Sequence, residues 1–358
     1  MMSSRAAYAR SPRIEIGGRP VGIGHPPYVV AELSANHNGR LETALRLVDE
    51  AKRAGADAVK LQTYTPDTMT LNCDSADFRI KGGLWDGRTL YHLYQEAHLP
   101  WEWHKAIFDH GRQIGITVFS SPFDRSAVDL LASLGAPAYK IASFELVDPH
   151  LISYAAQQGK PLIMSTGLAN AEEIAEAVQV AHAAGCRDLA LLHCVSGYPA
   201  PPEDYNLKTI PDLVERFGLV TGLSDHTLDS AVAVASVGLG ACIVEKHFTL
   251  NRDGGGPDDS FSLEPSEFAA LCNAVKTAWR AIGKADYMLK SSERGNAQFR
   301  RSLYFVKDLR EGERITQDAV RSIRPGFGLP PRDLEAVIGR AMRCDVRAGT
   351  AVSWALLD

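Results

Sequence analysis

No apolar run in this chain of 358 residues approaches the roughly 20 residues that a membrane-spanning helix needs, which argues against a bilayer-spanning role. There is no CxxC pair, and the six cysteines (Cys73, Cys186, Cys194, Cys242, Cys272, Cys344) are scattered, most of them in apolar contexts. That pattern reads as reduced, buried thiols rather than a disulfide framework or a closed zinc site. Cys194, within the polar HCVSGYP, could be reactive, although a structural thiol is the simpler reading. Positive charge is not in excess: the formal net charge is −5, so nothing draws the chain globally to nucleic acid or an anionic membrane. Any anionic ligand must then be held by local lysines or arginines. The start MMSSRAAYARSPR lacks the apolar core of a signal peptide, from which a cytoplasmic location is expected. Neither HExxH nor a GxGxxG after the first strand occurs.

What is present is ordinary for a globular protein, 45% hydrophobic and 23% charged, and ample for one large core plus a smaller module. Ile14 to Val21 predicts a small hairpin turned at Gly17-Gly18, covering one end of the main domain. From Tyr28 a unit repeats eight times: a β-branched run, a polar loop, then a segment of helical period. The predicted strands are YVVAEL, DAVKLQ, ITVFSS, AYKIAS, PLIMST, DLALLHC, LVTGLSD and ACIVEKHF. Amphipathic stretches such as LETALRLVDEAKRAG lie between them and end in Gly, the usual helix stop. Eight alternating βα units over about 250 residues predict a closed (β/α)8 TIM barrel, class α/β, with a doubly wound open sheet as the weaker alternative.

The strand ends carry the polar residues: Glu32, Lys60 and Gln62, Ser120 and Ser121, Lys140 and Ser143, Ser165 and Thr166, His193 and Ser196, Ser224 and His226, Glu245 and His247. In a barrel those ends meet at one mouth, the place where such folds put their chemistry. The expected boundaries are hairpin plus barrel over 1–283, a polar linker over 284–297, and a compact, mostly β module over 298–358. That module holds a weak internal repeat, Asp308 to Gly312 and Asp345 to Gly349, and between the two copies a rigid RSIRPGFGLPP turn from which Arg324 can reach outward.

Three constellations allow more than one reading. His226 and His247, at the ends of adjacent strands, are either core residues or imidazole ligands of a divalent metal in an open site, where Mn²⁺ or Mg²⁺ suits mixed N/O donors better than tightly held zinc. Lys60 and Lys140 lie inside apolar strands; they could form a core ion pair with Glu32 or Glu145, a Schiff base, or a cradle for phosphate or carboxylate. The surrounding Ser121, Ser143, Ser165, Thr166 and Ser224 favour the cradle. His37, in the turn NHNG, is as well explained by structure as by function, whereas an inward Glu32 needs a partner or a role.

AELSANHNG, DAVKLQTY, FSSPFD, YKIASFE, IMSTG, LHCVSGYP, GLSDHT, EKHFT and GPDD occur in order, and with them the chain resembles the sialic acid synthase family over almost its whole length. The C-terminal module resembles the antifreeze-like, or SAF, domain of those enzymes. LSANHNG, KLQTYTPDTMTL and LWDGRTLYHLYQEAHLPWEWH look most like the pseudaminic acid branch. The resemblance implies condensation of phosphoenolpyruvate with 2,4-diacetamido-2,4,6-trideoxy-L-altrose, in which carbon 3 attacks the aldehyde, water adds at carbon 2 and phosphate leaves by C–O cleavage. It implies Glu32 as the catalytic carboxylate and His226 and His247 as ligands of Mn²⁺, Mg²⁺ or Co²⁺. It also implies Lys60, Ser121, Lys140, Ser143, Ser165, Ser196 and Ser224 around phosphoenolpyruvate, and Gln62, Glu145, Tyr198, Glu245 and Asp258 around the sugar. Arg324 would be delivered to the barrel of the other subunit, in a domain-swapped homodimer. Val195-Ser196-Gly197 departs from the family's usual pattern, and the loop Asp74 to His98 is expected to contribute to sugar selection. The competing readings are an N-acetylneuraminate or legionaminic acid synthase on another N-acetylated hexose, a retro-aldol lyase, and a non-catalytic glycan- or ice-binding protein.

Overall fold

A computed structural model describes residues 12–358, so most of the N-terminal stretch read above for a signal core lies outside the described residues. Two strands, β1 (Arg13–Ile16) and β2 (Arg19–Gly22), form the expected hairpin, with Gly17 and Gly18 at φ 58° and 81° in its turn. Ile14, Ile16 and Val21 pack into the lower layer of the barrel interior, so the hairpin does close one end of it.

Eight parallel strands follow: β3 (Tyr28–Glu32), β4 (Ala58–Thr63), β5 (Thr117–Pro122), β6 (Tyr139–Ile141), β7 (Leu162–Ser165), β8 (Leu189–Cys194), β9 (Val220–Asp225) and β10 (Ile243–His247). β10 pairs back onto β3 and closes the barrel, as expected from the alternating units. Intervening helices cover the outside. The helix Leu41–Ala54 turns Ala44, Leu47, Val48 and Ala51 inward at helical spacing and stops at Gly55, whose φ of 94° is a left-handed conformation that glycine adopts without strain. Asp124, Asp148 and Asn170 cap the helices that follow them by accepting from free backbone N–H groups.

Contact between residues divides the chain into two compact units, meeting between Gly283 and Lys284. In the second unit β11 (Ser302–Phe305) pairs antiparallel with β12 (Val320–Ile323) over a core of Leu303, Phe305, Ile315, Val320, Val337, Met342 and Val352. The stretch read as a polar linker over 284–297 carries most of a 3-10 helix, Ser291–Phe299. The internal repeat has a physical basis. Asp345 Oδ1 accepts from Glu311 N–H and Asp308 Oδ1 accepts from Ala348 N–H, each at 2.8 Å, so each turn's aspartate braces the other turn.

Candidate active site

Strand period alone builds the site. Val30, Ala58, Phe119, Ala138, Ile163, Ala190, Leu192, Val220 and Ile243 point inward and fill the lower barrel with apolar side chains. Two residues further along, or at the next inward position, each strand presents one functional group: Glu32, Lys60, Ser121, Lys140, Ser165, Cys194, Ser224 and Glu245. All of these but Ser121 line a cavity of about 460 Å³, together with Gln62, Ser143, Glu145, Ser196, Tyr198, His226, His247 and Asp258. Arg324 belongs to the second unit, exposed on a turn pinned to β11 by Ser302, whose Oγ donates to Pro325 O at 2.6 Å and accepts from Gly328 N–H at 3.0 Å.

The period also removes three residues from the mouth. Ser120 and His193 are one step out of phase and face the helices: Ser120 bonds Thr63, and the His193 ring bonds the Tyr205 carbonyl. Thr166 donates to the Leu192 carbonyl and does not join the hydroxyl ring. Standing at a strand's end was too coarse a criterion, because alternate residues point to opposite faces.

The cavity floor is a charge cluster. Lys60 Nζ lies 2.8 Å from Glu32 Oε2 and 3.6 Å from Glu245 Oε1, while Lys140 Nζ lies 3.4 Å from that same Glu245 oxygen. Ser224 Oγ donates to Glu245 at 3.0 Å, and Lys60 donates to Ser121 Oγ at 3.4 Å. The lysines' partners are thus Glu32 and Glu245, not Glu145. Burial opposes the charge on Glu245, but Lys140 and Lys60 outweigh it and hold the carboxyl down at about 2. Burial raises Glu32, with the neighbouring negative charge of Glu245 acting in the same direction against Lys60. Burial also opposes the charge on Lys60, yet Glu245 and Glu32 leave its pKa raised; for Lys140 burial wins and the pKa falls.

Above the floor stand the two histidines, ring centroids 5.3 Å apart. His226 Nδ1 bonds the Val195 carbonyl at 2.8 Å, which places its proton there and leaves Nε2 as an acceptor. His247 is buried, its Nδ1 has no partner, and burial above all lowers its pKa and favours the neutral ring. Neutral imidazoles with a free nitrogen fit metal ligation, and among the described residues no larger cage of His, Cys, Asp and Glu side chains forms. The donor set therefore fits an open site completed by water or substrate. Tyr198 stacks 4.4 Å from His226 and 5.3 Å from Phe261, and burial raises its phenol so that it stays a donor.

The model of the NeuB family matches residues 47–287 and that of the SAF domain matches residues 300–358. The chain belongs to the NeuB family. Within the NeuB family it is 45% identical to the pseudaminic acid synthase of Campylobacter jejuni over 91% of this chain and 95% of that one. It is 42% identical to the pseudaminic acid synthase of Helicobacter pylori over 92% and 97% of the two chains. The crystal structure of the N-acetylneuraminic acid synthetase of Leptospira borgpetersenii, in complex with citrate, superposes with a TM-score of 0.71 at 30% identity, covering 80% of this chain and 95% of that one.

Ser34, Asn36, Asn38 and Lys246 in this NeuB-family site escaped the sequence reading, whereas His37 and Cys194 are weighed there. Ser34, at φ 46°, donates to Asp258 Oδ2 and accepts from Gln62 Nε2 at 3.2 Å. Asn36 Nδ2 reaches Ser262 Oγ at 2.8 Å and Asn38 Nδ2 reaches Asp259 at 3.2 Å, so the loop after β3 zips onto the loop after β10. The glycine run before Pro257 is what lets them approach: a Cβ on Gly256 would stand 2.0 Å from Asn38 Oδ1. His37 is structural, accepting from Gly39 N–H at 3.1 Å and packing edge-on against Trp103. Lys246, outward on β10 and 1% exposed, donates to Asp225 at 2.8 Å and to the Thr227 and Asp229 carbonyls, fixing the loop that carries His226. Cys194 lines the cavity; burial opposes its ionisation, but His226 beside it brings the thiol down to about 7. Its inward phase on β8, two residues past Leu192, was a signal available in the sequence.

Glu145 sits at the cavity edge with Oε2 unpartnered, and burial pushes it up to about 7. Its folded pKa lies above the ordinary carboxyl value of 4.5, so the protonated form stabilises the fold below that pH, and this contribution is lost as pH rises through about 7. Glu145→Gln should therefore remove part of the loss of stability between pH 5 and pH 8, about 1–2 kcal/mol after allowance for its partial exposure, read as a smaller fall in melting temperature. Parallel melting curves of variant and parent across that range would exclude this role for the carboxyl.

Proposed function

We propose that this chain is a pseudaminic acid synthase, a phosphoenolpyruvate-dependent transferase that joins the enolpyruvyl unit to 2,4-diacetamido-2,4,6-trideoxy-L-altrose with release of phosphate. The observation that carries the reading is the division of one cavity into a floor of paired lysines and carboxylates ringed by hydroxyls and an imidazole pair above it. Identity to two pseudaminic acid synthases supports the branch.

In this reading Lys60 and Lys140 neutralise the phosphate and carboxylate of phosphoenolpyruvate, Ser143, Ser165, Ser196 and Ser224 supply hydroxyls to its oxygens, and Ser121, outside the cavity lining, acts by holding Lys60. Gln62, Glu145, Tyr198 and Asp258 orient the open-chain sugar. Glu245, between the two lysines, sets their charge as well as facing the sugar. A divalent cation, Mn²⁺ or Mg²⁺, held by His226 and His247 would supply Lewis acidity to the aldehyde oxygen. Carbon 3 of phosphoenolpyruvate forms the new bond to the aldehyde carbon, and positive charge develops at carbon 2. Glu32 takes a proton from the water that adds there, and the carbon–oxygen bond to phosphate then breaks.

Phosphate release from phosphoenolpyruvate, with the altrose derivative and N-acetylmannosamine compared side by side, tests the function. Preference for the altrose derivative is expected; preference for N-acetylmannosamine would move the chain to the neuraminate branch.

The assembly proposed is a cytoplasmic, domain-swapped homodimer in which Arg324 completes the partner's sugar site. Arg324→Ala should lower turnover about 10- to 100-fold, the range for a lost hydrogen bond to a charged group. Mixed with Glu32→Gln under subunit exchange it should recover activity, because one site per mixed dimer is intact. Absence of recovery would contradict the swap.

A further inference from the structure

The cavity has a second chemical character that the charge cluster does not explain. Across from the floor, one connection after β4 turns Met69, Ile80, Trp85, Leu93 and Tyr94 towards the cavity, and Phe144 faces it from the loop after β6. This wall is built. Ile80 N–H donates to the Arg88 carbonyl at 2.9 Å and Gly87 N–H donates to the Ile80 carbonyl at 3.0 Å, closing a small ordered hairpin. Trp85 Nε1 donates to the Pro257 carbonyl at 3.1 Å, which ties the hairpin to the loop after β10. With its one polar atom engaged there, the indole has only carbon to offer the cavity. Its ring lies 5.9 Å from Tyr198, which continues the aromatic surface as far as His226.

We infer that this connection, with Trp85 as its keystone, is the specificity element of the site: it receives the methyl-bearing parts of the sugar, the N-acetyl methyls and the deoxy carbon. The substrate class it selects is an N-acylated deoxy sugar over a polyhydroxylated hexose. The inference rests on the function proposed above and adds to it the residues that read the sugar. A methyl group on this wall leaves water for carbon contacts, whereas a hydroxyl in its place finds no partner among Ile80, Leu93 and the indole carbons. One apolar carbon more or less in such a pocket is worth about 10- to 200-fold in discrimination.

The test compares 2,4-diacetamido-2,4,6-trideoxy-L-altrose with the counterpart carrying a 6-hydroxyl, by calorimetric binding in the presence of phosphoenolpyruvate and by kcat/KM. The parent should prefer the deoxy sugar at least 10-fold in binding. Trp85→Ala and, separately, Ile80→Ser should each collapse that preference, with KM for phosphoenolpyruvate changing far less than KM for the sugar. Trp85→Phe, which keeps a ring, should retain most of it. Equal binding of the two sugars by the parent, or an undiminished preference in both Trp85→Ala and Ile80→Ser, overturns the inference. Selective binding without any phosphate release would leave the wall's role standing and remove the proposed reaction instead.

Discussion

Glu32→Gln should lower turnover by about 10²- to 10⁴-fold while the protein stays folded and phosphoenolpyruvate still binds. Glu32 is 1% exposed, and Gln62 Nε2 donates to its Oε1 at 2.8 Å. Lys60 Nζ lies 2.8 Å from Oε2, and the second lone pair of that oxygen can accept from a water in the cavity. Burial and the charge of Glu245 raise its pKa, which makes the carboxylate a better proton acceptor than an ordinary one. The amide keeps the shape and loses the base. Lys60 is not stranded by the change, because Glu245 remains 3.6 Å away. Steady-state kinetics beside a binding isotherm for phosphoenolpyruvate would separate the effects. Turnover within a few-fold of the parent would take the proton-accepting role away from this residue.

Lys140→Met should raise KM for phosphoenolpyruvate steeply, by about 30- to 1,000-fold in kcat/KM if one buried charge contact to the anion is lost. Lys140 is the residue at which two chemistries part. Its pKa is lowered by burial, which is what a Schiff-base lysine requires, yet it points at Glu245 within a floor shared with Lys60. An anion bound there would add negative charge and restore its protonation. Borohydride treatment with the sugar or pyruvate should therefore leave no covalent adduct on intact-protein mass spectra. A stable adduct at Lys140 would replace the anion cradle with covalent catalysis.

The barrel was legible because βα alternation repeats with a fixed rhythm, and because inward residues change from apolar to polar towards the C-terminal end of most strands, as in Val30 to Glu32 or Ile163 to Ser165. The SAF-like module was legible through its two Asp-to-Gly turns, although their mutual bracing needed coordinates. Phase was the weak point: Ser120 and His193 sit one residue away from functional neighbours yet face the helices. Long-range pairing was invisible as well. Nothing in the spacing joins Ser34 to Asp258 or Lys140 to Glu245, since those contacts arise only when the barrel closes. Trp85 illustrates the same limit, because its role depends on a carbonyl far along the chain at Pro257.

In the proposed reaction water attacks carbon 2 of the enolpyruvyl unit, not phosphorus. Phosphoenolpyruvate labelled with ¹⁸O at the bridging oxygen tests it directly, with the altrose derivative as co-substrate and mass analysis of both products. The label is expected in the released phosphate, together with an unlabelled nine-carbon 2-keto acid. Label retained in the keto acid, with unlabelled phosphate, would mean cleavage at phosphorus and would contradict it.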